Sequence, residues 1–151
     1  MSDTKTQAAP RLVIRRKFAA PRARVWAAWT QPEQMKQWVG PGEITAPEIE
    51  SDLRAGGAYR IVMLQPDGEC WPVRGVFREV KEPERLSYTW RWEEDSPELE
   101  HDTLVTVEFN DLGNETELVL THEQFAGEES RDGHESGWNG ALDKLGKFVS
   151  R

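Results

Sequence analysis

The sequence predicts an α+β domain in the order β-α-α-β6-α, an antiparallel sheet packed against one long C-terminal helix. Three observations carry this prediction. Leu86, Tyr88, Trp90 and Trp92 alternate with Ser87, Thr89 and Arg91, the two-residue period of a strand with one buried face. Trp138, Ala141, Leu142, Leu145, Phe148 and Val149 recur at spacings of three and four, the period of an amphipathic helix whose apolar stripe must be covered. Between Ile44 and Glu123, short β-rich runs are separated by Gly, Pro and Asp turn signals with no helical pattern between them, which points to consecutive antiparallel strands.

Taken in order, Arg11 to Phe18 mixes β-branched and aromatic residues in partial alternation and reads as a first strand, interrupted by Ala20-Pro21. Val25, Trp26 and Trp29 then fall at helical spacing. Thr30-Gln31-Pro32-Glu33 has the T-x-x-E spacing of a capping box, which predicts a second short helix to about Trp38, stopped by Gly40-Pro41-Gly42. Ile44 to Asp52 is a strand and Ala55-Gly56-Gly57 a turn. The next strand carries Tyr59, Ile61 and Met63 on one parity. Pro66-Asp67-Gly68 makes a hairpin to a strand from Cys70 to Val80, with Trp71, Val73, Gly75 and Phe77 sharing a side. Glu82-Pro83-Glu84 turns the chain into the Trp90 strand. An acidic loop from Glu93 to Glu100 leads to a strand with Thr103, Val105, Val107 and Phe109 on one face. Asp111 to Asn114 returns it to Thr116–Glu123, where Leu118, Leu120 and His122 share a parity, and the helix follows.

A chain of 151 residues fits one domain with a sizeable core, here residues 11–151, preceded by a small, polar tail over residues 1–10. One cysteine, Cys70, excludes an intrachain disulfide and points to a reducing, cytoplasmic setting; no apolar run approaches the ~20 residues of a membrane span. A net charge of -8 argues against nucleic acid as a partner, because phosphate binding depends on clustered Lys and Arg. His101, His122 and His134 form no metal-ligand spacing, and Cys70 has no adjacent cation to activate it. Glu79 and Glu82 border a turn and read as solvated carboxylates. No cofactor and no spacing-defined catalytic set is expected.

The phrases RVWAAWTQPEQMKQWVGP, LRAGGAYRIVM, EPERLSYTWRW, TELVLTHEQF and GWNGALDKL resemble, in order and spacing, the family named for homology to the activator of the ninety-kilodalton heat-shock protein ATPase. That family lies within the START, birch-pollen-allergen and polyketide-cyclase superfamily. The resemblance covers about Arg11 to Val149. It implies the helix-grip fold, a curved sheet around a long C-terminal helix with a cavity between them, and binding or transformation of a hydrophobic small molecule there. It also implies a chaperone as a partner, although no counterpart of the co-chaperone's separate N-terminal domain is expected among these residues.

With the Trp90 parity facing the helix, the expected lining is Tyr59, Ile61, Met63, Trp71, Phe77, Tyr88, Trp90, Trp92, Val105, Val107, Leu118, Leu120 and His122, closed by Trp138, Leu142 and Leu145. Indole and phenol groups around one space offer flat apolar contact with a few polar handles, which fits a hydrophobic, aromatic small-molecule ligand. The competing reading is a solid core. His122 either binds a ligand carbonyl and shuttles a proton, as in a cyclase- or hydrolase-type enzyme, or is a satisfied core histidine. A chaperone-associated interaction module is the third reading. Oligomeric state is not legible.

Overall fold

The chain follows β1 (Leu12–Phe18), α1 (Arg22–Thr30), α2 (Pro32–Met35), β2 (Thr45–Ser51), β3 (Ala58–Leu64), β4 (Cys70–Lys81), β5 (Arg85–Trp92), β6 (Thr103–Asp111), β7 (Thr116–Glu123) and α3 (Glu128–Val149) in a computed structural model. The structure describes residues 9–94 and 101–150; the expected tail up to position 8 and the acidic loop from position 95 to 100 lie outside the described residues. All neighbouring strands are antiparallel, in the order β1-β7-β6-β5-β4-β3-β2. The curved, open sheet and its C-terminal helix are the α+β helix-grip fold.

One local expectation fails. Thr30 does not cap a second helix: it sits buried in the last turn of α1, and its hydroxyl donates back to the Trp26 carbonyl at 2.8 Å. The α2 helix starts instead with Pro32 at a first-turn position, where a missing N–H is no loss, and runs only to Met35. The following turn is pinned by the Trp38 indole, which donates to the Ala28 carbonyl at 2.8 Å.

The other end of the chain extends beyond its sequence signal. α3 begins at Glu128, well before the first strongly periodic residue, Trp138. Glu128 and Glu129 occupy its first turn, where carboxylates complement the positive end of the helix dipole. Its second half packs directly on the sheet: Leu142, Leu145, Val105, Val107, Leu118 and Leu120 are all fully buried. Arg16 donates to Asp143 at 2.9 Å and to Asn139 at 3.0 Å, and Arg24 donates to the Phe148 carbonyl at 3.0 Å, tying this half to β1 and α1. The helix's first half stands away from β3, β4 and β5. The gap left there is the site described next.

Candidate functional site

A space of about 530 Å³ opens between the first half of α3, strands β3 to β5 and the segment from Met35 to Ile44. Its most distinctive wall is a continuous run of six indoles. Trp38 lies 4.7 Å from Trp29, Trp29 stacks on Trp138 at 5.9 Å, and Trp138 meets Trp90 at 5.4 Å. Trp90 then meets Trp92 at 5.6 Å and Trp92 meets Trp71 at 6.4 Å, each near-perpendicular. All six line the space, together with Met35, Val39, Pro41, Ile44, Ile61, Met63, Tyr88 and Ala141. Offset and edge-to-face packing is the favourable geometry for such rings.

Of the residues expected from the sequence, Ile61, Met63, Trp71, Tyr88, Trp90, Trp92 and Trp138 border this space. Tyr59 and Phe77 border, with Tyr88, a second space of about 20 Å³, enough for about one water molecule. Val105, Val107, Leu118, Leu120, His122, Leu142 and Leu145 are not in the wall; they lie in the packed interior behind it. Their inward parity is as expected, but sheet and helix touch there and leave no gap. The wall also contains Trp29, Met35, Trp38, Val39, Gly40, Pro41, Ile44, Cys70, Pro72, Glu93, Glu94, Glu129, Ser130, Gly133, His134, Gly137 and Ala141. For α3 the available signal was the i, i+4 spacing Ser130, His134, Trp138, which places these residues on one helix face.

His122 has a fully determined hydrogen-bond role. The Trp138 indole N–H, a donor only, donates to His122 Nδ1 at 3.0 Å, so Nδ1 carries no proton. His122 Nε2–H then donates at 2.7 Å to Thr103 Oγ1, whose own hydrogen goes to the Trp90 carbonyl at 2.9 Å. The imidazole is thus a neutral strut holding Trp138 against the sheet. Burial, and secondarily the neighbouring His134, push its pKa down to about 2.

His134 is a partly buried wall residue with the mirror-image arrangement. Trp92 Nε1–H donates to His134 Nε2 at 2.8 Å, so His134 Nδ1–H donates to the Ser130 carbonyl, also at 2.8 Å. Burial lowers its pKa, partly offset by the Ser130 bond. His101 is exposed and its Nε2 meets the Gln124 carbonyl at 2.7 Å. Glu79 is paired with Arg85 at 2.8 Å. Among the described residues, no group of three or more His, Cys, Asp or Glu side chains is placed to hold a metal ion.

These two neutral histidines make stability fall in weak acid. An unfolded histidine takes up a proton near pH 6.5, whereas folded His122 does not, so the stability it confers is complete above about pH 6.5 and declines as pH falls. Glu93 and Asp102, held low by hydrogen bonds from Arg60 and Arg91, act only below the ordinary carboxylate range, which leaves the window from pH 6.5 to 5 to the histidines. Urea titrations are expected to show a loss of about 2 kcal/mol from His122 between pH 8 and pH 5. His122→Asn, which keeps an acceptor for Trp138, should remove that part of the slope; an unchanged slope refutes the assignment.

Fold and site together define a helix-grip domain with an aromatic space between sheet and C-terminal helix. A sequence model of the activator of Hsp90 ATPase homolog 1-like family matches residues 19–150, and the chain belongs to that family. Among solved structures it is similar to a Chromobacterium violaceum protein at 26% identity, covering 93% of this chain and 97% of that one with a TM-score of 0.85. The AHSA1 protein from Silicibacter pomeroyi is 26% identical, with coverages of 93% and 98% and a TM-score of 0.82. A protein from Rhizobium leguminosarum is 28% identical, with coverages of 94% and 95% and a TM-score of 0.78. No curated protein matches. Among the described residues no helix is long and apolar enough to cross a membrane.

Proposed function

We propose that residues 11–151 form one cytoplasmic domain that binds a hydrophobic, aromatic small molecule between the sheet and the first half of α3. The observation that carries this reading is the run of six indoles around a space of about 530 Å³. That volume falls within the roughly 300–1,000 Å³ of small-molecule sites. The family's fold typically binds hydrophobic ligands, which agrees with the reading. Affinity comes from apolar burial against Trp29, Trp90, Trp92 and Trp138, with Ile61 and Met63 as the floor. Acid–base chemistry through His122 has no support in this geometry, because both ring nitrogens are engaged and neither borders the space.

The test uses N-phenyl-naphthylamine, a neutral apolar fluorophore. Its emission should rise saturably to one probe per chain. Ala141 borders the space from α3, so Ala141→Phe should weaken binding about tenfold or more, the equivalent of roughly 1.4 kcal/mol. Absence of saturable binding to the native chain, or full binding by Ala141→Phe, rejects the reading.

A further inference from the structure

The six indoles of the wall differ in one respect. Trp38, Trp29, Trp138, Trp92 and Trp71 each donate their N–H to a protein acceptor: the Ala28 carbonyl, the Tyr88 hydroxyl, His122, His134 and Glu69. Trp90 does not. Its residue is 5% exposed, and its Nε1 is the buried side-chain nitrogen or oxygen without a hydrogen-bond partner among the described residues. Buried donors are nearly always paired, because an unpaired one loses its water and gains nothing in return.

Trp90 is also central in the wall. It lies between Trp138 and Trp92 in the indole run, and its backbone carbonyl is the end point of the His122–Thr103 chain, so the strand that carries it is held in place. Two residues away on the same face of β5, Tyr88 accepts from Trp29 at 3.2 Å, while its own hydroxyl proton has no acceptor among the described residues. Burial keeps that phenol protonated. One face of β5 therefore carries two donors without a protein acceptor among the described residues, in contrast to the apolar floor beside it.

We infer that the ligand of this space is an apolar, ring-containing molecule bearing an acceptor oxygen of carbonyl type, and that Trp90 Nε1–H donates to that oxygen. The inference rests on the binding reading above and specifies its ligand class. The nitrogen is closed off in the present packing, so contact requires the side chains around it to shift slightly. The competing account is an N–H···π contact with Trp92, whose ring stands at 90° to that of Trp90; such contacts are much weaker than a conventional hydrogen bond.

Fluorene and fluorenone separate these accounts, since they share a ring frame and differ by a CH₂ in place of a C=O. Both are measured by displacement of N-phenyl-naphthylamine from the native chain and from Trp90→Phe, which keeps an aromatic ring and removes the N–H. The fluorenone-to-fluorene affinity ratio should drop about three- to tenfold in the variant, the span of one net hydrogen bond. In ¹⁵N-labelled native protein, the Trp90 indole N–H resonance should move downfield with fluorenone and not with fluorene; this readout stands even if the variant folds poorly. Equal ratios in the two proteins, or an indole resonance unmoved by bound fluorenone, overturn the inference and leave the binding reading intact. So does a fluorophore that binds but is displaced by neither compound. If the fluorophore itself does not bind, the binding reading fails and takes this one with it.

Discussion

His122→Ala is expected to destabilise the fold by about 4 kcal/mol, measured by urea unfolding at pH 7.5, where the imidazole is neutral in both states. The side chain is fully buried, so its removal leaves a hole among Phe125, Trp90 and Trp138. It also leaves the Trp138 N–H, now unpaired, in an apolar setting, and frees Thr103 Oγ1 of its donor. Either effect alone is worth roughly 1–3 kcal/mol. His122→Asn should recover part of the loss by restoring an acceptor near Nδ1. Because Trp138 is in the wall, His122→Ala should also weaken N-phenyl-naphthylamine binding even in the folded fraction. A destabilisation under about 1 kcal/mol would show that the strut is dispensable.

The contrast between His122 and Trp90 explains what was legible in the sequence. Alternation gives a strand's inward face, and it gives it well: Tyr88, Trp90, Val105, Val107, Leu118, Leu120 and His122 are all buried. It carries no depth. Whether an inward side chain meets a cavity or a helix depends on where α3 departs from the sheet, which is fixed by long-range anchors such as Arg16 to Asn139 and Lys144 to the Gly42 and Ile44 carbonyls. Most of the residues missed in the wall come from two places where local signals are weak. One is the turn after α2, where Val39, Gly40 and Pro41 have no period. The other is the first half of α3, where Ser130, Gly133 and His134 have the spacing of one helix face but not its apolar character. The capping-box pattern at Thr30 shows the converse, a local signal overridden because the threonine hydroxyl had a nearer partner one turn back.

Gly75→Ala should cost about 4 kcal/mol as well, through backbone rather than side-chain crowding. Tyr59 on β3 reaches across β4 at Gly75, and its hydroxyl donates to the Thr89 carbonyl of β5 at 2.5 Å. A Cβ at position 75 would stand 2.0 Å from that carbonyl oxygen and 2.7 Å from the Tyr59 ring. Relief requires β4 to separate from β5, where the ladder is already irregular and Val76 N–H donates to the Thr89 side chain at 2.9 Å. Thr89 lies between Tyr88 and Trp90, so the same shift moves the polar face of the wall. Gly68→Ala is the control: it has a positive φ of 93° but nothing near its Cβ position, so it should lose only about 1 kcal/mol from backbone strain. Equal losses at positions 68 and 75 would mean that the crossing of Tyr59 over β4 does not need a glycine. A large loss at 75 alone would show that the crossing of Tyr59 over β4 depends on the absence of a side chain there.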